Sequence, residues 1–362
     1  MLIYFIVPAI NIGGGLREVI NLAQNMKSAG SKSIMVSLWR ATHQMPTSLP
    51  IKELTFMPAQ RLWAILGFWY VCARYIIFLM GLRKKSLEEE FFVFTHYLTV
   101  IFSIFVSRKR RFFFVQDLEW RFLGKGFISK LVKKVLIFCY RRGAVISANS
   151  YLTKELQRLD IAVKYDLSIW ANPEFKGDRN KSIKRDFDFV MVLRTGLAKR
   201  LDLYLDFINL SLRDSDLKVV VITPHDDIAH LIENFHVQTF LRPSLEEMRK
   251  IYERSKVFVM LSEHEGFGLP PLEAMGSGCV PVCRASGGIN AYMYGKCLDE
   301  LVLPLSISVD EIFNFCKKII TDPLRLEKYS FAAGKCFDEG LKKAAYRQKL
   351  VQNIFLDMKL SN

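Results

Sequence analysis

The stretch VFVMLSEHEGFGLPPLEAMGSGCVPVC, residues 257–283, decides how the chain is read. It opens on an apolar run (257–261), passes through a glycine-rich loop and a short proline-started helix (272–276), and closes on a second apolar run (280–283). Short apolar runs with no polar alternation are strands covered on both faces, and a helix between two of them makes a parallel βαβ unit.

Working outward, the same rhythm recurs. Before this unit come strand-like runs at 187–193, 218–223 and 237–240, with helical patterns near 202–211 and 245–255. The first half carries its own series of runs at 2–7, 33–38, 91–94, 112–115 and 144–148, with a triple glycine at 13–15 and a helix over 16–29. Around 170–184 the pattern gives way to Asn, Pro, Gly and charged residues. The expected fold is therefore α/β, two Rossmann-like domains with a cleft between them. Residues 1–168 form the first domain, 169–185 a linker, 186–340 the second, and a helical run over 341–362 is expected to pack back on the first.

Of 362 residues, 51% are hydrophobic and 24% charged, a globular composition. Twenty-eight Phe make the chain greasy, a hint of membrane contact. The net charge of +15 is unevenly placed: residues 1–168 hold 24 Lys and Arg against 10 Asp and Glu, while 169–362 hold 27 against 26. A basic first half points to an anionic partner, whether a lipid surface, a pyrophosphate-bearing acceptor or a nucleic acid. The seven cysteines form no CxxC pair and are read as reduced core residues of a cytosolic protein. No basic leader precedes the first strand, so no signal peptide is expected.

Two segments bear on membrane contact. Residues 62–82 are apolar apart from Arg74 and are flanked by Arg61 and Arg83–Lys85. A central Arg costs about 2.5–3.5 kcal/mol on insertion scales, and a span there would cut the first sheet. A core helix and a helix lying in the membrane interface both remain open. Over 125–142, helical spacing gathers Lys130, Lys133, Lys134 and Arg141 on one side, with Ile128, Leu131, Val135 and Cys139 on the other. Such a helix suits anionic lipid, or is an ordinary surface helix whose apolar side faces the core.

The chemistry sits in two loops. Glu265 and Glu273, with seven residues between them, flank a glycine-rich loop and a helix start. The backbone amides of Gly266, Phe267, Gly268 and Leu269, with the helix dipole, favour an anion, and carboxylates hydrogen-bond sugar hydroxyls. Arg194 and Lys199, in VLRTGLAKR after the run 187–193, can neutralise a diphosphate leaving group. One domain thus offers what a nucleotide sugar requires.

These residues resemble a known family. EGFGLPPLEAMGSG is similar to the EX7E signature of the retaining GT-B glycosyltransferases of family GT4, and LRTGLAK to their donor-diphosphate motif. FLRPSLEEMRKIYERSKVFVMLSEHEGFG resembles the family's nucleotide-binding segment in register. The resemblance implies that Glu273 binds the donor ribose, Glu265 the transferred sugar, and Arg194 and Lys199 the diphosphate. One departure is Arg200, where the family commonly has Gly. PAINIGGGLREVINLA resembles the N-terminal glycine loop, which would bring Gly14 and Gly15 to the donor phosphate. FFFVQDLE is similar to an element of a rhamnosyltransferase-like subgroup, making Gln116, Asp117 and Glu119 acceptor-side candidates, with His96 beside them.

The expected activity is sugar transfer with retention from a nucleoside-diphosphate sugar to a glycan on a polyprenyl diphosphate, in bacterial surface polysaccharide (O-antigen, lipopolysaccharide or capsule) synthesis. The protein would be cytoplasmic and peripheral at the inner face of the membrane. No metal or cofactor is required, and rhamnose is the first guess for the sugar. A dinucleotide site is disfavoured because Glu18 stands where the fingerprint needs a small residue. His225, Asp226 and Asp227 read as a polar loop, and no nucleic-acid motif is present. The rivals are a nucleotide-sugar epimerase or hydrolase on the same fold, and a non-catalytic nucleotide-sugar-binding protein.

Overall fold

The computed structural model describes all residues except 11–13, 40–46, 55–72, 75, 79–89, 125, 170, 178–183, 215, 236, 294–297, 345 and 361–362. The chain divides into two compact units, one of Met1–Ile169 with Tyr346–Asn362, the other of Trp170–Ala345. Each is built on one parallel sheet.

In the first unit the strands are β1 (Leu2–Val7), β2 (Lys32–Ser37), β3 (Ile51–Glu53), β4 (Glu90–Phe94), β5 (Arg111–Val115), β6 (Ala144–Ser147) and β7 (Val163–Asp166). They lie in the order β3-β2-β1-β4-β5-β6-β7, all pairs parallel. The chain runs outward from β1 to β3 and then returns to place β4 on the other side of β1. That reversal makes β1/β4 the switch point, where open α/β sheets bind ligands beyond the carboxyl ends of their strands. β4 and β5 are buried along their whole length. Their Phe91, Phe92, Phe94, Phe112, Phe113 and Phe114 are core residues, with Phe91 edge-on to Phe112 and Phe92 stacked on Tyr4. Much of the greasiness that hinted at a membrane therefore lies inside this unit's core.

The helix Gly14–Ser28 follows β1. Against it packs the helix Arg347–Leu360, through buried Val351, Ile354, Phe355 and Met358. Arg347 reaches Glu18 at 2.8 Å, both nearly buried. The helical run expected from residue 341 is divided: one helix ends at Ala344 (Pro323–Ala344) and another starts at Arg347.

In the second unit β8 (Phe187–Val192), β9 (Val219–Thr223), β10 (Gln238–Leu241), β11 (Ser255–Met260), β12 (Val280–Arg284) and β13 (Val302–Leu303) lie in the order β10-β9-β8-β11-β12-β13. Here the switch point is β8/β11. The stretch 170–184, read as linker, holds a 3-10 turn Pro173–Phe175 whose Phe175 is fully buried and rings with Tyr252.

No helix among the described residues is long and apolar enough to cross a membrane. Segment 62–82 lies outside them except for 73, 74 and 76–78. Cys139, Cys279, Cys283, Cys316 and Cys336 are buried; Cys72 and Cys297 lie outside the described residues.

One expectation about a helix needs correction. The segment expected over 125–142 is helical over Phe127–Tyr140, but its core-facing residues are Ser129, Leu136, Cys139 and Tyr140. Ile128 and Leu131, expected beside Cys139, are exposed instead, along with Phe127 and Phe138. This helix is apolar on two sides, and the neighbouring 3-10 turns cover only one of them.

Candidate functional site

The loops after β8 and β11 meet at the switch point of the second unit. The first runs Arg194–Arg200, with a 3-10 turn at Leu197–Lys199 started by Gly196. The second runs from Leu261 to the helix Leu269–Gly276, whose first turn holds proline. A backbone hydrogen bond from Glu263 N–H to the Ala198 carbonyl (2.8 Å) ties the loops together. Lys199 Nζ then donates to Glu265 Oε1 at 2.8 Å, with both side chains more than four-fifths covered. Burial by itself would push the Glu265 carboxyl up. Lys199, a hydrogen bond from Ser262 and the Arg194 charge outweigh it and hold the group below its ordinary value.

Arg194 differs from the other cations of this edge. Arg200 is held by Asp202 and Arg242 by Asp226 in two-pronged pairs, and Lys199 by Glu265. Among the described residues Arg194 is paired with no carboxylate, and its Nε is buried without an acceptor. Its charge helps hold Glu265 below its ordinary value and lowers His225.

Close backbone approach shapes the second loop. Glu265 forms a parallel bridge with Gly287, its N–H donating to the Ser286 carbonyl and its carbonyl accepting from Gly288. A Cβ at Gly288 would overlap the Gly266 carbonyl and Phe267 Cα. Gly268 takes a left-handed conformation (φ 81°) as the residue before the helix, and a Cβ there would overlap Ile289. Tyr292 donates to the Gly268 carbonyl at 2.7 Å and packs edge-on to Phe267. Glu273 lies inside the helix, 4% exposed.

Arg200, where the resembling family carries Gly, keeps the conformation Gly would supply: φ 53°, ψ 52°, immediately before the helix Leu201–Leu212. Its guanidinium grips Asp202 and lies 3.9 Å from Glu263.

The first unit gathers the remaining expected residues at its own switch point. Gly14 and Gly15 open the helix after β1, His96 follows β4, and Gln116, Asp117 and Glu119 follow β5. A Cβ on Gly15 would lie 3.1 Å from Gln116 Oε1, itself buried and without a hydrogen-bond partner among the described residues. His96 caps a helical turn, its Nδ1 accepting the Leu98 N–H at 3.2 Å. Nδ1 therefore carries no proton, and the neutral ring presents Nε2–H to Glu119 Oε1, 3.7 Å away. Burial lowers His96 to about 4. Burial raises Glu119 well above the usual carboxylate range, against the pull of a hydrogen bond from the Tyr97 N–H. The contact has ion-pair distance, but both shifts favour the uncharged forms.

The structure thus places Arg194, Lys199, Glu265, Glu273 and Gly266–Leu269 in the second unit, and Gly14, Gly15, His96, Gln116, Asp117 and Glu119 in the first. Several site neighbours escaped the sequence reading. His225 follows β9 and lies 3.5 Å from Thr195, its imidazole lowered by burial and by Arg194 against Asp227. Ser262, Gly288 and Tyr292 support the Glu265 loop. The doublet Gly287–Gly288 after β12 was the visible signal for the last group.

Comparison with known proteins gives a partial family match and a shared fold. Residues 174–328 match the family model described as glycosyl transferases group 1. A protein of Sulfolobus islandicus filamentous virus, described as glycosyltransferase 41, is 31% identical over 43% of this chain and 44% of its own length. The GDP-mannose:cellobiosyl-diphosphopolyprenol alpha-mannosyltransferase of Xanthomonas oryzae is 44% identical over 13% of this chain and 12% of its own. The matched part of the chain thus spans less than half the length of either relative. Sucrose-phosphate synthase from Thermosynechococcus elongatus has the same fold, with a TM-score of 0.73 at 14% identity over 96% of this chain and 98% of that one. The family match at residues 174–328 thus covers less than half of the chain, and the two parallel sheets are those of the GT-B fold.

Proposed function

We propose that the protein transfers a sugar, with retention, from a nucleoside-diphosphate sugar to a glycan carried on a lipid diphosphate. The observation that carries this reading is the edge at β8/β11, where Arg194 is left without a carboxylate partner among the described residues, beside the Lys199–Glu265 pair and a helix N-terminus. Arg194, Lys199 and the amides of Gly266–Leu269 would hold the diphosphate and stabilise the charge that grows on it as the glycosidic bond breaks. Glu265 would orient the sugar and Glu273 the ribose. No metal is needed for that step. The departing phosphate would take the proton of the acceptor hydroxyl, while the neutral His96 and Glu119 hydrogen-bond acceptor hydroxyls.

The lipid-borne acceptor is supported by the basic first half and by the Xanthomonas relative, whose name specifies a diphosphopolyprenol acceptor. Surface polysaccharide synthesis at the inner face of a bacterial membrane, with rhamnose or another hexose as the sugar, is the setting that fits. The test is thermal stabilisation by UDP, GDP, dTDP, ADP and NAD. A ligand at a hundred times its dissociation constant adds about 2.7 kcal/mol. One nucleoside diphosphate should stabilise the wild type and lose its effect in Glu273→Ala. Stabilisation by none, or by NAD alone, overturns the reading. Product analysis then separates transfer from epimerisation, which alters the sugar within the donor alone.

A further inference from the structure

We infer that the exposed side of the helix Phe127–Tyr140 is a membrane-docking surface that inserts apolar side chains into an anionic bilayer. The inference deepens the proposed action on a lipid-borne acceptor and rests on that reading for its purpose. Four large apolar side chains stand in solvent on this one helix: Phe127 (78% exposed), Ile128 (67%), Leu131 (50%) and Phe138 (49%). At 100° per residue they fall within about a third of the wheel, opposite the core side made by Ser129, Leu136 and Tyr140. Ile104, 55% exposed, lies on the 3-10 turn Ile101–Phe105 that packs against the same helix. Single exposed apolar residues are ordinary, whereas a stripe of this kind marks a contact surface.

Charge identifies what covers it. Exposed Lys130, Lys134 and Arg141 border the stripe, and Arg142 stacks over the Phe138 ring at 3.5 Å. The turn Arg108–Arg110 adds three cations nearby in the chain. From residue 120 to 154 the sequence has eight Lys and Arg and no Asp or Glu. A second copy of the chain would set these cations against each other. A nucleic acid would satisfy the charge but leave the Phe, Ile and Leu side chains against phosphate. An anionic bilayer answers both needs: headgroups take the cations, and the acyl boundary takes the stripe.

Vesicle co-sedimentation of the full chain tests this, using phosphatidylcholine with and without phosphatidylglycerol and needing neither donor nor acceptor. The wild type should pellet with the anionic vesicles, and salt should release it in part. Lys130→Gln with Lys134→Gln should weaken partition about 30-fold, from roughly one kcal/mol per cation. Phe127→Ser with Leu131→Ser should weaken it at least tenfold, the equivalent of about two methylene groups withdrawn from hydrocarbon. All four positions are exposed, so unchanged melting and unchanged nucleoside-diphosphate stabilisation show that the fold and donor site are intact. Equal pelleting with both vesicle types, wild-type partition by both double variants, or a lipid-free dimer broken by the serine variants overturns the proposal. Vesicle binding without nucleotide stabilisation would instead overturn the transferase reading and leave the docking surface standing.

Discussion

The two switch points are built from similar residue types and reach opposite electrostatic solutions. In the second unit a carboxylate and an ammonium meet at 2.8 Å, and the carboxyl is held ionised in spite of its burial. In the first unit a carboxyl and an imidazole lie 3.7 Å apart, and burial favours the neutral form of both. The difference comes from the supply of fixed charge. Glu265 has Lys199 and Arg194 around it, whereas Glu119 has Asp117, a like charge that raises it further. A site of set charges suits a ligand that is itself charged, such as a diphosphate. A site of neutral donors and acceptors suits hydroxyls, whose hydrogen bonds need no counter-ion.

The largest expected effect comes from removing the cation of the charged site. Lys199→Met should slow sugar transfer about 10²–10³-fold. It should also cost about 3 kcal/mol of stability, because Glu265 is left covered and unpaired. Adding Glu265→Met should restore most of the stability and none of the activity, read by urea unfolding beside the transfer assay. Near-normal turnover in Lys199→Met would remove the charged site from the chemistry and end the comparison.

Next in size is a backbone effect confined to the charged side. Gly288→Ala forces a Cβ into the Gly266 carbonyl, so the loop must shift. A loss of about 1–3 kcal/mol is expected, with weaker nucleoside-diphosphate stabilisation, and thermal melts with and without nucleotide measure both.

The neutral site is tested by pH. His96 falls from 6.5 to about 4 on folding, so its stabilising contribution is complete above 6.5 and is lost as pH falls towards 4. Glu119 is raised, so its contribution is complete below the ordinary carboxylate value of 4.5 and is lost as pH rises through its folded value. His96→Asn keeps an acceptor at the helix cap and should flatten the acid limb of the stability curve. Glu119→Gln, which mimics the uncharged carboxyl, should flatten the opposite limb. Unchanged limbs in both variants would show the pair to be solvated and ionised, like its counterpart.

Most of this was legible in the chain because central parallel strands leave an unmistakable mark. β1 is a run of six apolar residues and β5 holds three consecutive Phe, since both faces of each are covered. The strands that escaped notice were β3, β7 and β13. Each is an end strand of its sheet, and β3 (IKE) and β7 (VKYD) carry the polar residues an edge permits. The charged site was readable because its residues are close in sequence around two loops. The neutral state of His96 and Glu119 was not, because burial by distant elements sets it. The exposed stripe on Phe127–Tyr140 was misjudged for a related reason: periodicity shows that a helix has apolar residues but not which of two apolar sides finds a partner.

The smallest effect bears on Arg200, the place where the charged loop departs from the family it resembles. A left-handed conformation costs a residue with a Cβ roughly 1–2 kcal/mol, a cost that Gly avoids. Against this, Arg200 grips Asp202, but both are partly exposed, and a pair of that kind contributes about 0.2–1 kcal/mol. Backbone relief outweighs the lost pair, so Arg200→Gly should raise stability by up to about 1 kcal/mol, measured by urea unfolding. Activity then separates two roles for the side chain. If the guanidinium only holds the loop, turnover and donor KM stay at wild-type values, because Gly keeps the same backbone shape. If its approach to Glu263 helps align the Glu265 loop, KM for the donor rises in Arg200→Gly while the fold becomes more stable. A loss of stability in that variant would show that the Asp202 and Glu263 contacts, rather than the backbone, decide the shape of the loop.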